Sequence, residues 1–94
     1  MIGSIADRET RRIHEGKISR RLPPEIQARA RKLMRVLGRS KSLNDLRAVP
    51  GNRLEKLRGD RKVQHSVRIN NQWRICFTWR EDTAFDVEIT DHYN

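Results

Sequence analysis

The sequence predicts an α+β domain, with N-terminal helices packed on one face of an antiparallel-rich sheet of four to five strands. The first half places apolar residues three and four positions apart, which is the helical period, whereas the last third alternates apolar and polar residues at the strand period of two. The last three alternating segments are separated by short polar stretches, which indicates hairpins. Because helices then cover the apolar sheet face, the polar face is expected to stay open.

Size and charge limit the classes of molecule that the protein is expected to bind. The chain has 94 residues, which predicts a single domain spanning 1–94, and only 35% are hydrophobic, so the core must be small. Lys and Arg number 21 against 12 Asp and Glu, a net charge of +9 that favours a polyanion: nucleic acid, an acidic membrane or an acidic protein.

Cysteine usage and hydropathy predict a cytoplasmic protein. The single cysteine, Cys76, falls inside a strand pattern and is expected to be a packed thiol in a reducing compartment. The sequence shows neither a leader-like apolar segment nor a membrane-spanning run, so we expect neither secretion nor membrane insertion.

The helical half begins with a short edge strand predicted over Met1–Ile5. A first helix is expected from a cap at Asp7 to about Glu15, with Gly16 stopping it. The clearest helix opens at Pro23-Pro24 and is expected to end at Gly38. Its apolar face carries Ile26, Ala30, Leu33 and Leu37, and its outer face carries Arg29, Arg31, Lys32 and Arg35. A solvated face that keeps the protein in solution is the simpler interpretation of those cations, and direct RNA contact is the alternative.

A short helix and four strands follow. Ser42 and Asp45 have the spacing of a capping box, and Pro50-Gly51 would close that helix. Strands are predicted at Leu54–Arg58, with a bulge, and in three later runs joined at Asn70-Asn71 and Glu81–Thr83. Alternation assigns to the apolar face Val63, His65, Val67, Ile69, Trp73, Ile75, Phe77, Trp79, Phe85, Val87 and Ile89. It assigns to one wet surface Arg68, Arg74, Arg80 and His92.

Such a surface suits phosphodiester chemistry. RNA is cut without a metal when its own 2′-hydroxyl attacks phosphorus, provided that a base, an acid and fixed cations assist. Arg74 and Arg58 can bind phosphate oxygens with forked donors, and His92 can transfer a proton near neutral pH. Candidate bases are Glu55 and Asp91, and Tyr93 is an aromatic donor near the chain end. Since no metal-ligand spacing is present, neither a metal nor another cofactor is expected.

Structural roles compete with these functional ones. Arg58 and Arg68 could be edge charges that discourage aggregation, and Arg74 could pair with Glu88 or Asp86 across the sheet. His65 lies in the apolar row and is expected to be a packed histidine. Core packing is likewise favoured over base stacking for Trp73 and Trp79.

The C-terminal runs also resemble a known family. Gly59-Asp60-Arg61, His65–Ile69, Trp73–Trp79 and Ile89–Asn94 together resemble the HigB toxins of the RelE/ParE superfamily, the plasmid maintenance killer proteins. The likeness covers nearly the whole chain in length and element order, and its specific part is 51–94. It implies a RelE-like fold, messenger RNA cleavage on the ribosome, and inhibition by a cognate HigA-like antitoxin. Operator DNA would be bound only through the antitoxin complex.

The resemblance implies roles for individual positions. Arg58 precedes the Gly-Asp-Arg turn as the phosphate-holding basic residue does, and Arg74 matches the arginine that follows the family tryptophan. HigB toxins usually close with Asp-Tyr-His, whereas this chain closes Asp91-His92-Tyr93-Asn94. That order is similar to the YoeB branch, in which a glutamate three residues before the basic position is the base; here it is Glu55. Glu55 with His92 and Asp91 with His92 are therefore rival acid–base pairs. Further RNA contacts are expected from Arg68, Arg61 and Lys56.

Three functions are compatible with these features. The favoured one is the toxin of a type II toxin–antitoxin system that acts as a ribosome-dependent mRNA endoribonuclease. The alternatives are a ParE-like toxin that inhibits gyrase without nuclease chemistry and a basic RNA-binding module without toxicity. If the first is correct, His92→Ala and Arg74→Ala are each expected to relieve growth inhibition without unfolding the protein.

Overall fold

The computed structural model describes residues 1–49, 51, 53–56 and 64–91. In these ranges the chain forms helices α1 (Arg8–His14), α2 (Pro24–Arg39) and α3 (Leu43–Arg47), followed by strands β1 (Glu55–Lys56), β2 (Gln64–Arg68), β3 (Trp73–Arg80) and β4 (Thr83–Asp91). The strands make an antiparallel meander in the order β1-β2-β3-β4. The predicted α+β class is therefore confirmed. None of the helices in this part of the chain is both long and apolar enough to cross a bilayer.

Side-chain caps define where the helices begin. The carboxylate of Asp7 accepts a 2.8 Å hydrogen bond from the Thr10 backbone N–H at the start of α1. Gly16 follows the helix with a φ of +83°, which glycine adopts without strain. In α3 the hydroxyl of Ser42 accepts from the Asp45 N–H, while the Asp45 carboxylate accepts from the Ser42 N–H. The predicted caps of both helices are confirmed.

The predicted end of α2 at Gly38 is wrong. The helix continues through Gly38, which does not adopt a positive φ, and ends at Arg39. Ser40 supplies the actual termination, because its hydroxyl donates to the Val36 carbonyl at 2.7 Å and its N–H bonds to the carbonyls of Val36 and Leu37. A serine that satisfies the last carbonyls thus allows the helix to pass the glycine.

The N-terminal segment follows the edge of β4 but is not the predicted strand. It makes two isolated parallel bridges, Ile2 with Ala84 and Ile5 with Val87. Between them β4 bulges at Asp86, which has a φ of +53°, and the Ser4 hydroxyl accepts a 2.8 Å hydrogen bond from the Asp86 N–H. Because this side chain bonds where a backbone carbonyl would, the ladder is interrupted.

The same bulge corrects the predicted position of Phe85. Ile75 faces Ile89 in register, but beyond the shift Thr78 faces Phe85 and Trp79 faces Ala84. Phe85 therefore lies on the polar side of the sheet rather than in the apolar row. There its ring lies 4.4 Å from the Arg80 guanidinium carbon, while the fully buried Ala84 takes the core position.

The hydrophobic core lies between α1, α2, α3 and the apolar face of the sheet. Its buried members are Ile13, Ile26, Ala30, Leu33, Met34, Leu37, Leu46, Val67, Ile69, Ile75, Phe77, Ala84, Val87 and Ile89. Trp73 and Trp79 are partly buried and pack against this cluster, as predicted. Cys76 is a buried thiol, in agreement with the predicted packing role.

Candidate functional site

The polar sheet face is not open at its centre, contrary to the sequence prediction. Arg74 has a relative exposure of 7%, and its neighbour on β2, Ser66, is fully buried. The segment that precedes β1 covers this region, because the Arg53 carbonyl accepts a 2.8 Å hydrogen bond from Arg74 Nη2. Arg53 adopts a φ of +46°, a conformation that is unusual for a residue with a side chain.

Ser66 on β2 and the segment that precedes β1 hold the guanidinium of Arg74 in one orientation. Its Nε donates to the Ser66 hydroxyl at 2.7 Å, and its Nη2 also reaches the Ser66 carbonyl at 3.4 Å. These bonds use Nε and Nη2, and no described residue accepts from Nη1. A buried cation requires such bonding, because an unpartnered charge away from water is strongly unfavourable. Among the described residues, Ser66 and Arg53 therefore provide the acceptors that hold the guanidinium.

Glu55 is the ionic partner of Arg74. Its Oε1 lies 3.6 Å from Arg74 Nη2, and its side chain is 55% exposed against 8% for that of Arg74. Since Glu55 faces Ser66 in register, the carboxylate belongs to the same sheet face as the arginine. The ion pair of Arg74 is therefore made with Glu55, rather than with Glu88 or Asp86 as the structural alternative had it.

Arg68 is the direct cross-strand neighbour of Arg74. The two residues are opposite each other on β2 and β3, so both lie on the polar face. The Arg68 guanidinium donates to the Asn71 side-chain oxygen in the adjoining turn. Arg80 shares the face but lies six positions further along β3, about 20 Å at the usual rise per residue. The predicted single surface is thus divided, with Arg80 at a distance from Arg68 and Arg74.

Other predicted site residues lie on the opposite side of the sheet or outside the described residues. Asp91 faces Trp73 in register, and its carboxylate accepts a 2.9 Å hydrogen bond from the Gln72 side chain. Lys56 faces His65, which also belongs to the helix-covered side. The predicted site residues outside the described ranges are Arg58, Arg61, His92 and Tyr93.

His65 is half-buried and packs against Phe77, with the ring centroids 6.1 Å apart. Its Nδ1 is buried without a hydrogen-bond partner among the described residues. Burial lowers the pKa of the imidazole, and the positive charges of Lys56 and Arg47 lower it further. The histidine therefore favours the neutral form and lies on the other face from Arg74. No three His, Cys, Asp or Glu side chains in the described part of the chain are grouped as metal ligands would be.

Comparison with known proteins assigns the chain to a family. The model of a protein family described as "RelE-like toxin of type II toxin-antitoxin system HigB" matches residues 4–92. The chain belongs to the HigB-like toxin family. It is 32% identical over 78 residues to Toxin HigB-1 of Vibrio cholerae serotype O1, an alignment that covers 83% of this chain and 82% of the relative. It is also 25% identical over 80 residues to an uncharacterized protein of Haemophilus influenzae, covering 84% and 79% of the two chains.

Membership confirms the resemblance predicted from the C-terminal runs. This HigB-like protein is accordingly a toxin of a type II toxin–antitoxin system, a class in which the toxin is paired with an antitoxin. The fold of this HigB-like toxin agrees with the RelE-like layout, since helices cover one side of an antiparallel sheet.

Two residues of the Arg74 environment were missed by sequence reasoning. Alternation places Ser66 on the polar face of the HigB-like sheet, but nothing local indicates that this face is covered there. Arg53 contributes a backbone carbonyl, for which its side-chain identity carries no signal. The available clue was the spacing of Ser66 and Arg74 around a short hairpin, which brings a small hydroxyl beside a long cation.

Proposed function

We propose that this HigB-like toxin is a ribosome-dependent mRNA endoribonuclease that cuts by attack of the RNA 2′-hydroxyl on the adjacent phosphorus. The observation that carries the proposal is the pairing of Glu55 with Arg74 on one sheet face. A carboxylate and a fixed cation side by side are two of the groups that this reaction requires, and they come from chain segments far apart in sequence.

Glu55 is proposed as the general base. A base must come within about 2.6–3.2 Å of the proton donor, so it has to be accessible and able to move. The Glu55 side chain is more than half exposed, and its ionic contact is a long 3.6 Å. It can therefore leave Arg74 when a substrate phosphate takes its place, and remove the 2′-hydroxyl proton. The register of Asp91 with Trp73 favours Glu55 over Asp91 for this role.

Arg74 is proposed to bind a non-bridging phosphate oxygen through Nη1. Nε and Nη2 are already bonded to Ser66 and Arg53. The guanidinium therefore needs no reorganisation when charge accumulates on the phosphoryl group. Preorganised donors of this kind stabilise transition states more than mobile ones. Arg68, directly opposite on β2, supplies a second positive charge to the same region.

The remaining roles are proposals from the sequence. His92 would protonate the leaving 5′ oxygen, Arg58 and Arg61 would bind neighbouring phosphates, and Tyr93 would donate near the chain end. Lys56, exposed on the edge strand, would contact RNA outside the reacting centre. The chemistry needs no metal ion, because the nucleophile belongs to the RNA itself.

The ribosome and the antitoxin complete the proposed partnership. A 94-residue protein is too small to enclose an RNA strand, so we propose that the ribosome presents the message to the exposed carboxylate. The net charge of +9 favours docking on ribosomal RNA and inhibition by an acidic HigA-like antitoxin. Operator DNA would be bound only through that complex, and the protein would act in the cytoplasm.

The test is to map RNA 5′ ends after brief induction of the toxin in bacteria. The wild type is expected to cut within codons of a translated message, and to spare the same message when its start codon is removed. Glu55→Gln is expected to abolish the cuts, whereas Asp82→Asn, the same carboxylate-to-amide change in the exposed β3–β4 turn, should retain them. Intact messages together with a DNA-damage response would overturn the proposal in favour of gyrase inhibition.

A further inference from the structure

A second positively charged site lies on the helical side of the molecule. A cavity of about 230 Å³ opens between α1 and the connection from α1 to α2. We call it the arginine cleft, after the described residues that line it: Arg8, Glu9, Arg12, Arg20 and Arg21. Every one of these side chains is charged, four positive and one negative.

Buried hydrogen bonds fix the backbone that presents the cleft. Gln27 of α2, only 6% exposed, donates to the carbonyls of Ser19 and Leu22 at 2.8 and 2.9 Å and accepts from the Ser19 N–H at 3.1 Å. The Ser19 hydroxyl accepts from the backbone N–H groups of Arg21 and Leu22 at 3.1 and 3.2 Å. These hydrogen bonds fix the loop against α2, so the backbone that carries Arg20 and Arg21 is well defined.

Glu9 offsets only part of the positive charge of the cleft, because four arginines and one glutamate line it. Glu9 accepts a 2.6 Å hydrogen bond from the Ser19 hydroxyl, and none of the four arginines forms an ion pair with another described residue. Arg12 is oriented by donating Nε and Nη2 to the Ile18 carbonyl at 3.1 and 2.8 Å. A preoriented guanidinium therefore lies beside three exposed ones, those of Arg8, Arg20 and Arg21.

The cleft is separate from the Arg74 region. Helices α1 and α2 pack through Ile13 and Ile26 on the apolar side of the sheet, whereas Arg74 and Glu55 lie on the other side. A ligand held by the arginine cleft would therefore leave the Glu55–Arg74 pair accessible.

We propose that the arginine cleft binds backbone phosphates of RNA as a docking site distinct from the Glu55–Arg74 site. Guanidinium forks match phosphate oxygens, and a cavity of about 230 Å³ is smaller than the 300–1,000 Å³ typical of sites for whole organic ligands. A protein partner would call for an apolar interface core, and the described lining contains no apolar residue. The inference rests on the proposed function only in taking RNA as the polyanion that the toxin meets.

The test measures RNA binding by the purified full chain, using fluorescence anisotropy of a labelled single-stranded RNA over a range of salt concentrations. Each lost phosphate contact reduces the steepness of the log–log salt dependence by about 0.7 on single strands, so Arg20→Ala/Arg21→Ala is expected to reduce it by about 1.4. The matched control, Lys32→Ala/Arg35→Ala, removes the same charge from exposed positions of α2 and should reduce it by less than half as much. Arg8→Ala, in the α1 part of the cleft lining, is expected to reduce it by about 0.7.

Each result decides for or against the cleft. Equal changes in the cleft and control variants would mean that only overall charge matters, and an unchanged slope in the cleft variants would exclude phosphate contact there. Loss of binding to a labelled polyglutamate peptide, with RNA binding intact, would assign the cleft to an acidic protein instead. Melting curves identify any variant that has lost its fold. If Arg20→Ala/Arg21→Ala is unfolded, the salt dependence of RNA binding is compared instead in Arg8→Ala and in the charge-conserving Arg20→Lys/Arg21→Lys.

Binding and cleavage are read separately, so this inference and the proposed function can fail independently. A wild type that cuts messages while the cleft variants bind RNA normally would remove the docking site alone. A wild type that cuts nothing, but whose cleft variants lose RNA binding, would remove the nuclease function alone.

Discussion

Arg74 Nε donates a 2.7 Å hydrogen bond to the hydroxyl of Ser66, diagonally across strands β3 and β2. A neutral acceptor at this position orients a buried cation without cancelling its charge. The cation then remains able to attract a phosphate, while Glu55, the charged partner, stays at the looser distance of 3.6 Å. The close hydroxyl orients the cation and the more distant carboxylate neutralises it only weakly, which suits a site that must bind an anion.

Replacing Ser66 with alanine is expected to weaken both the fold and RNA cleavage. The buried guanidinium would keep its charge and lose an acceptor, which costs about 1.5–3 kcal/mol for a hydrogen bond to a charged group. Urea denaturation measures the stability, and message cleavage measures the function. Ser66→Cys keeps the volume but has a weak acceptor, so it should lose most of the same free energy. Wild-type stability in Ser66→Cys would show that volume, not the hydrogen bond, matters.

Arg74→Ala is expected to lower stability as well as toxicity. From sequence alone this variant is expected to stay folded, but the structure shows the arginine buried and bonded to the β1 segment. Its removal would leave the buried Ser66 hydroxyl and the Arg53 carbonyl without their donor, at about 1–3 kcal/mol for each group left unsatisfied. Thermal unfolding followed by circular dichroism checks this. An unchanged melting temperature would indicate that water replaces the guanidinium at little cost.

Glu55→Gln is expected to separate activity from stability. Ion pairs with an exposed partner contribute only about 0–1 kcal/mol, so the melting temperature should barely change. Loss of a general base, in contrast, lowers rates by about 10²–10⁴-fold. Cleavage of a translated message in a purified translation system measures the rate. Full activity of Glu55→Gln, with loss in Asp91→Asn, would move the base to Asp91.

His65 is expected to make stability decrease in mildly acidic solution. Its folded-state pKa lies below the ordinary value of 6.5, so the unfolded chain binds a proton more readily than the folded one. Stability from this group is therefore complete above about pH 6.5 and is lost as the pH falls towards the depressed pKa. Urea midpoints measured across this range should fall less in His65→Phe than in the wild type. His14→Gln, at an exposed position, is the control, and a matching fall in His65→Phe would assign the effect to other groups.

Trp79→Ala is expected to destabilise the protein through lost packing. The indole is partly buried against the core and meets the Phe77 ring edge-on, with centroids 6.2 Å apart. Truncating a core tryptophan costs about 3–5 kcal/mol, and partial burial places this site near the lower end. For a domain of this size 1 kcal/mol corresponds to roughly 4–8 °C in melting temperature. Loss of cleavage at an unchanged melting temperature would instead give Trp79 a functional role.

What the sequence determined by itself is local. The strand period assigned Arg68, Ser66 and Arg74 to one face, because successive side chains of a strand point to opposite sides whatever surrounds them. The caps at Asp7 and Ser42 were equally predictable, since each depends on hydrogen bonds between residues three positions apart.

Only the tertiary structure decided the burial of Arg74, its partnership with Glu55, the bulge that turns Phe85 outward and the end of α2 beyond Gly38. The first three depend on contacts between distant segments, such as the Arg53 carbonyl 21 residues from Arg74 and the Ser4 hydroxyl 82 residues from Asp86. Periodicity carries no information about which remote backbone covers a face, and so the open surface predicted around Arg74 proved to be a covered one. The end of α2 depends on the rotamer of Ser40, whose hydroxyl bonds to the Val36 carbonyl. The general tendency of glycine to end helices does not predict that bond.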